Sequence, residues 1–153
     1  IKESMADKAK EFLMEVFQKM DVDADVLTQE DKESVTIKIT GDNIGILIGR
    51  RGETLDSLQY LTSLVVNKNK QNYKRVIIDI ENYRQKREDI LIRLANRMAE
   101  KATRMRRNLT LEPMNSYERR IIHSALQNHK YVDTYSVDEE PNRKVVIRYR
   151  YGN

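Results

Sequence analysis

Apolar positions recur at two different periods along this chain, and the switches between them mark its elements. Met5, Ala9, Phe12, Leu13, Val16, Phe17 and Met20 return at the spacing of one helix face, and Ser4 stands where an N-cap would. Val22, Ala24 and Val26 alternate with polar residues, as do Val35, Ile37 and Ile39. Polar residues 29–33 lie between the two runs, so a β-hairpin is predicted. Residues 42–48 are too few for more than one or two helical turns. Leu55, Leu58, Leu61, Leu64 and Val65 then predict a helix ending near Asn67, and Val76, Ile78 and Ile80 predict a strand. The predicted order to about residue 80 is α-β-β-α-α-β.

The pattern then restarts. Tyr83, Ile90, Leu91, Leu94, Met98 and Ala102 line one face of a long helix over residues 82–107. Leu109 and Leu111 alternate in a short strand that stops at Pro113. Asn115 with Glu118 three residues on has capping-box spacing, and the helix it starts would carry Tyr117, Ile121, Ile122, Ala125 and Leu126 inward. Residues 132–137 and 144–149 read as two strands joined by the acidic turn Asp138-Glu139-Glu140-Pro141. The chain is thus expected to be α+β, with one domain over 1–80 and a second, helices on a three-stranded sheet, over 81–153. The 82–107 helix is open to being shared between them. No internal repeat, low-complexity tract or Pro/Gly/Ser-rich linker intervenes, so the halves are expected to pack closely.

Composition narrows the function classes. The 153 residues contain no cysteine, which removes disulfides and thiolate metal sites and fits a reducing, cytoplasmic compartment. No apolar run approaches the roughly 20 residues that span a bilayer, and no signal peptide stands at Ile1. A start at Ile rather than Met fits a segment of a longer protein. The net charge of +4 is unevenly spread. Residues 1–42 hold 6 Lys/Arg against 11 Asp/Glu, residues 43–80 hold 6 against 3, and residues 81–153 hold 16 against 10. A basic field of this kind suits nucleic acid, because Lys and Arg release counterions condensed on phosphates. A solvated basic face on an ordinary domain is the other reading.

Four of the five glycines fall between Gly41 and Gly52, and the turn Gly49-Arg50-Arg51-Gly52 carries two positive charges. Glycines permit φ > 0 and remove the Cβ atoms that would keep a phosphate backbone away. The turn feeds a helix N-terminus, where free N–H groups and the dipole favour an anion. Arg50 and Arg51 add bidentate donors. A tight helix–helix turn is the other reading of the glycines, but a short apolar helix before, a long amphipathic helix after and two basic residues at the tip strengthen the first.

The stretch Ile44-Gly45-Ile46-Leu47-Ile48-Gly49-Arg50-Arg51-Gly52-Glu53-Thr54-Leu55 resembles the signature loop of KH domains, and the element order resembles their bacterial type II arrangement. The resemblance implies that the loop clamps about four nucleotides of single strand. It places Gly49, Arg50, Arg51 and Gly52 on the backbone, with Ile48, Leu55 and the strand near Val76 lining a groove. Core packing is the alternative role for each of those apolar residues.

Arg119 and His123 are four apart on a predicted helix and share a face. Their setting is Pro113-Met114-Asn115 before, Glu118-Arg119-Arg120-Ile121-Ile122-His123 across, and Glu140-Pro141 with Arg143 after. It is similar to the Arg-x-x-x-His (R-3-H) domain, a single-stranded nucleic-acid module. A KH domain followed by this module resembles the Jag, or SpoIIIJ-associated, family, from about Met5 to Tyr149. Family members usually carry a further small N-terminal domain and a linker. Arg119 and His123 would form a second phosphate site, with His123 a cation that strengthens binding as pH falls. Alternatively, His123 is a neutral donor holding a neighbouring backbone carbonyl.

Catalytic patterns are missing from the sequence. His123 and His129 are six apart and would face different sides of a helix, which argues against a metal pair. There is no cysteine nucleophile, no Gly-x-Ser-x-Gly turn, and no Gly-Lys-Ser/Thr ending to the glycine cluster. Asp138, Glu139 and Glu140 read as a hairpin turn. The expectation is a bacterial non-enzymatic binder of single-stranded RNA, or of single-stranded DNA, acting in post-transcriptional regulation. No cofactor, metal, small-molecule substrate or membrane insertion is implied. The alternative is a protein-interaction adaptor that docks a partner, such as another KH protein, on its acidic first 42 residues. The resemblance ties that adaptor to membrane insertion, cell division or sporulation, since the family is often encoded beside a membrane insertase.

Overall fold

The computed structural model describes residues 3–151. It forms two compact units that divide between Arg84 and Gln85. The first runs α1 (Met5–Lys19), β1 (Asp25–Glu30), β2 (Ser34–Thr40), α2 (Gly45–Ile48), a 3-10 turn at Arg50–Gly52, α3 (Glu53–Asn67) and β3 (Arg75–Ile80). This is the type II KH order. Its sheet is β1-β2-β3, with β1 antiparallel and β3 parallel to β2.

Local chemistry sets the ends of these elements. Ser4 Oγ accepts from Asp7 N–H at 3.0 Å and caps α1. Asp31 Oδ1 accepts from the N–H groups of Glu33 and Ser34, both at 2.8 Å, and so folds the β1–β2 turn. β1 begins three residues later than the alternation at Val22 suggests, since residues 22–24 only lead into it. Register assembles the core. Val35, Ile37 and Ile39 pair with Val76, Ile78 and Ile80, and all six are buried under α1 and α3. On the outer edge of β3, Ile78 N–H donates to Gln59 Oε1 at 2.9 Å. The Asn67 side chain bonds both the N–H and the carbonyl of Lys74 at 2.9 Å. One α3 side chain thus takes an edge donor of β3 that a further strand would need, and another fixes the loop just before the strand.

The inward face of α3 is Leu55, Leu58, Thr62 and Val66. Leu61, Leu64 and Val65 help mark the helix in sequence, but with Tyr60 they lie exposed on its other side. The sequence held two apolar stripes on one helix, and only one reaches the sheet.

The second unit contains most of α4 (Tyr83–Met105), then β4 (Leu109–Thr110), α5 (Ser116–Ala125), β5 (Val132–Val137) and β6 (Lys144–Tyr149). The sheet order is β4-β6-β5, antiparallel throughout. α4 buries Leu91, Ala95, Ala99 and Ala102, with the predicted Leu94 and Met98 packed against that core and Ile90 exposed. The buried residues share one core with Ile122, Leu126, Val145 and Ile147. Asn115 Oδ1 accepts from Glu118 N–H at 2.8 Å, the first half of the capping box. Glu118 does not complete the box. Its Oε1 accepts from Arg87 Nε at 3.0 Å instead. Tyr117 points outward, against expectation, because the buried stripe of α5 runs through Glu118, Arg119 and Ile122. No helix among the described residues is long and apolar enough to cross a membrane.

Candidate nucleic-acid interface

The 49–52 turn owes its shape to its glycines. Gly49 has φ 73° and ψ −176°, a region open essentially to glycine alone. Gly52 has φ 78° and ψ 12°. A Cβ on Gly49 would lie 2.1 Å from Thr54 Oγ1, and one on Gly52 would lie 2.8 Å from Tyr83 Cε1. The space freed by the missing Cβ atoms is therefore filled by the protein's own Thr54 and Tyr83, and not held open for a phosphate. Between the glycines, Arg51 takes the left-handed conformation at φ 55°. Arg50 is exposed and Arg51 half-buried. Both directly precede the 15-residue helix α3, which has no side-chain N-cap, so the turn puts two positively charged residues just ahead of that helix.

The apolar residues expected beside this turn divide. Ile48 is half-buried against the core and reaches the surface. Leu55 is 0% exposed and Val76 is buried, so neither lines a groove. Both belong to inward stripes, Leu55 on α3 and Val76 in register with Val35.

On α5, Arg119 and His123 are in place but occupied. Arg119 is only 8% exposed, so its guanidinium is turned inward. Its Nη1 donates to the Met114 carbonyl at 2.6 Å and pairs with Glu140 Oε1 at 2.9 Å. Arg143 Nη1 donates to the Asp138 carbonyl at 2.7 Å, and Met114 N–H donates to the Arg143 carbonyl at 3.1 Å. The residues that carried the R-3-H resemblance thus form a clasp joining the loop before α5 to the β5–β6 turn.

His123 is half-buried, and both ring nitrogens meet hydroxyls: Nδ1 lies 2.6 Å from Thr134 Oγ1 and Nε2 lies 2.9 Å from Ser136 Oγ. Thr134 and Ser136 share the inward parity of β5 with Val132, across from Ile147 and Val145. Sequence reasoning missed both partners, although polar residues at core parity in 132–137 were the available signal. The partners are hydroxyls, and no backbone carbonyl is involved.

Burial pushes the His123 imidazole below its ordinary value, and the charges of Arg119 and Arg143 push the same way. The folded protein thus takes up this proton less readily than the unfolded chain does. The stability that follows is complete above the unfolded value of about 6.5 and is lost as pH falls through the depressed folded value. The melting temperature is expected to drop as pH falls below about 6.5, and His123→Gln should remove that component. Thermal melts of both proteins across this range check it; superimposable pH profiles would refute the assignment.

Comparison with known proteins follows the same division. Residues 6–78 match the KH-domain family of KhpA and KhpB, and residues 89–149 match the R-3-H domain family. The chain is 52% identical to RNA-binding protein KhpB of Clostridium symbiosum, over 99% of this chain and 69% of that protein. It is 40% identical to RNA-binding protein KhpB of Bacillus subtilis (strain 168), over 94% of this chain and 70% of that one.

Proposed function

This chain belongs to the family of the proteins named RNA-binding protein KhpB, which join a KH domain to an R-3-H domain, and from that premise we propose that it binds single-stranded RNA without catalysis. Its role is that of a cytoplasmic post-transcriptional regulator in a bacterium. The observation that carries this reading is the 49–52 turn, where Arg50 and Arg51 directly precede α3, a helix with no side-chain N-cap. Phosphates sit at that turn, with Ile48 beside it. A second contact lies on α5 around His123. Arg119 serves that contact by holding the clasp in shape, since its own guanidinium is buried against Met114 and Glu140. Arg and backbone donors recognise phosphate whatever the base, so affinity should depend on strandedness and salt more than on sequence.

The adaptor reading draws on other surfaces. Glu11, Glu15, Asp21 and Asp23 surround a groove of about 580 Å³ beside exposed Met14. Tyr60, Leu61, Leu64 and Val65 leave an apolar stripe on α3, which suits a protein partner such as another KH protein. One titration separates the two readings. Single-stranded RNA should outcompete a duplex of the same sequence, because KH recognition needs splayed bases, and its affinity should fall with salt. RNA over DNA should be the weaker preference. Equal or tighter duplex binding contradicts the proposal, and little binding to either form favours the adaptor.

A further inference from the structure

We propose that the groove between α4 and α5 takes one unpaired base of the bound strand against Tyr117, with the adjoining phosphate on Arg120. The groove measures about 380 Å³, and its lining includes Glu88, Tyr117, Arg120 and Ser124. Its floor of Ile92, Ile121 and Ala125 is apolar, and Tyr117 beside it is 53% exposed. A large aromatic left in solvent against an apolar slot is a surface to which a flat ring can stack. The volume is at the lower end for small-ligand sites and is ample for a single base.

The position and charge of the groove point to nucleic acid. Tyr117, Arg120 and Ser124 succeed one another at helical spacing, so they form one ridge of α5. Arg120 is also three residues from His123, so a strand passing His123 continues over Arg120 to Tyr117. The two neighbouring arginines divide the work. Arg119 is bonded into the clasp, whereas Arg120 is exposed and has no hydrogen-bond or ion-pair partner among the described residues. The surplus of 16 Lys/Arg over 10 Asp/Glu in residues 81–153 attracts a polyanion to this unit. Glu88, on the α4 side, repels phosphate and accepts N–H donors. It therefore sets the polarity of the site, with phosphate toward Arg120 and the base edge toward Glu88. Stacking on aromatic side chains and arginine planes is how proteins hold unpaired bases.

The inference rests on the RNA-binding reading but uses residues apart from the 49–52 turn, so the two can fail separately. The experiment titrates the whole chain with two fluorescent dodecamers, oligo(A) RNA and an abasic ribose-phosphate strand of equal length. Tyr117→Ala is expected to weaken oligo(A) binding by about tenfold and to leave abasic binding as it was. Tyr117→Phe should bind as the parent does. Arg120→Gln should weaken both strands and lower the magnitude of the salt slope by roughly 0.7. A folded Tyr117→Ala that binds oligo(A) like the parent overturns the inference, as does an equal loss on the abasic strand or a Phe variant as weak as Ala. A parent that binds no RNA overturns the RNA-binding reading and this inference with it.

Discussion

Reversing both loop charges, Arg50→Asp with Arg51→Asp, is expected to weaken every single-stranded oligonucleotide by about 100-fold while the fold survives. A hydrogen bond to a charged group contributes about 1.5–3 kcal/mol, so two lost arginine–phosphate contacts amount to at least about 3 kcal/mol. The introduced carboxylates add repulsion. The salt slope should shrink as well, by roughly 0.7 for each phosphate contact removed. The fold should tolerate the change because Arg50 is exposed, and because aspartate accepts the left-handed conformation of Arg51 better than most residues do. Arg51 is half-buried and makes an interaction of its own, so Arg50→Asp alone is the cleaner companion, with an expected loss of about tenfold. Affinity measured against several unrelated sequences, with a melt of each variant, decides the matter. Undiminished binding by a folded double variant removes the turn from the interface. A loss limited to one sequence means the arginines read bases.

What the sequence made legible follows from what sets each feature. Strands β2, β3, β5 and β6 were readable because each repeats a short local pattern, and the hairpins were readable from the polar runs at 29–33 and 138–141. Helix faces were harder. α3 has apolar residues on both sides, and periodicity alone cannot say which side meets the sheet, so Leu61, Leu64 and Val65 came out exposed. Tyr117 went the same way on α5. The 49–52 turn was legible as a candidate site because its chemistry is contiguous. The surroundings of Arg119 were not, since Met114 and Glu140 meet it only after β5 and β6 pair and return the chain to α5. Spacing of four put Arg119 and His123 on one face, but α5 lies with that face against the clasp and β5. Their partners, Glu140 on one side and the hydroxyls of Thr134 and Ser136 on the other, come from tertiary pairing that local spacing does not encode.

Gly49→Ala is expected to destabilise the first unit by about 3 kcal/mol or more, a larger loss than its small size suggests. Two independent costs meet there. The backbone at φ 73° and ψ −176° is one that only glycine adopts freely, at roughly 1–3 kcal/mol for any other residue. The new methyl would also lie 2.1 Å from Thr54 Oγ1, 2.8 Å from Thr54 Cβ and 3.0 Å from Thr54 N. A rotamer change moves the hydroxyl away but not the backbone nitrogen, which is fixed in the first turn of α3. Relief therefore requires the turn to shift against that helix. For a domain of this size each kcal/mol lowers the melting temperature by about 4–8 °C, so a drop of about 12 °C or more should appear. Gly45→Ala is the matched control. A Cβ there meets nothing within 4 Å, the residue is in α2, and its φ is not positive, so alanine should be neutral or slightly stabilising. If the two variants melt together, the shape of the turn does not depend on Gly49. If Gly49→Ala melts low as expected, its RNA affinity measured well below that melt should fall too, because the proposed phosphate site depends on the shape of the turn that carries Arg50 and Arg51.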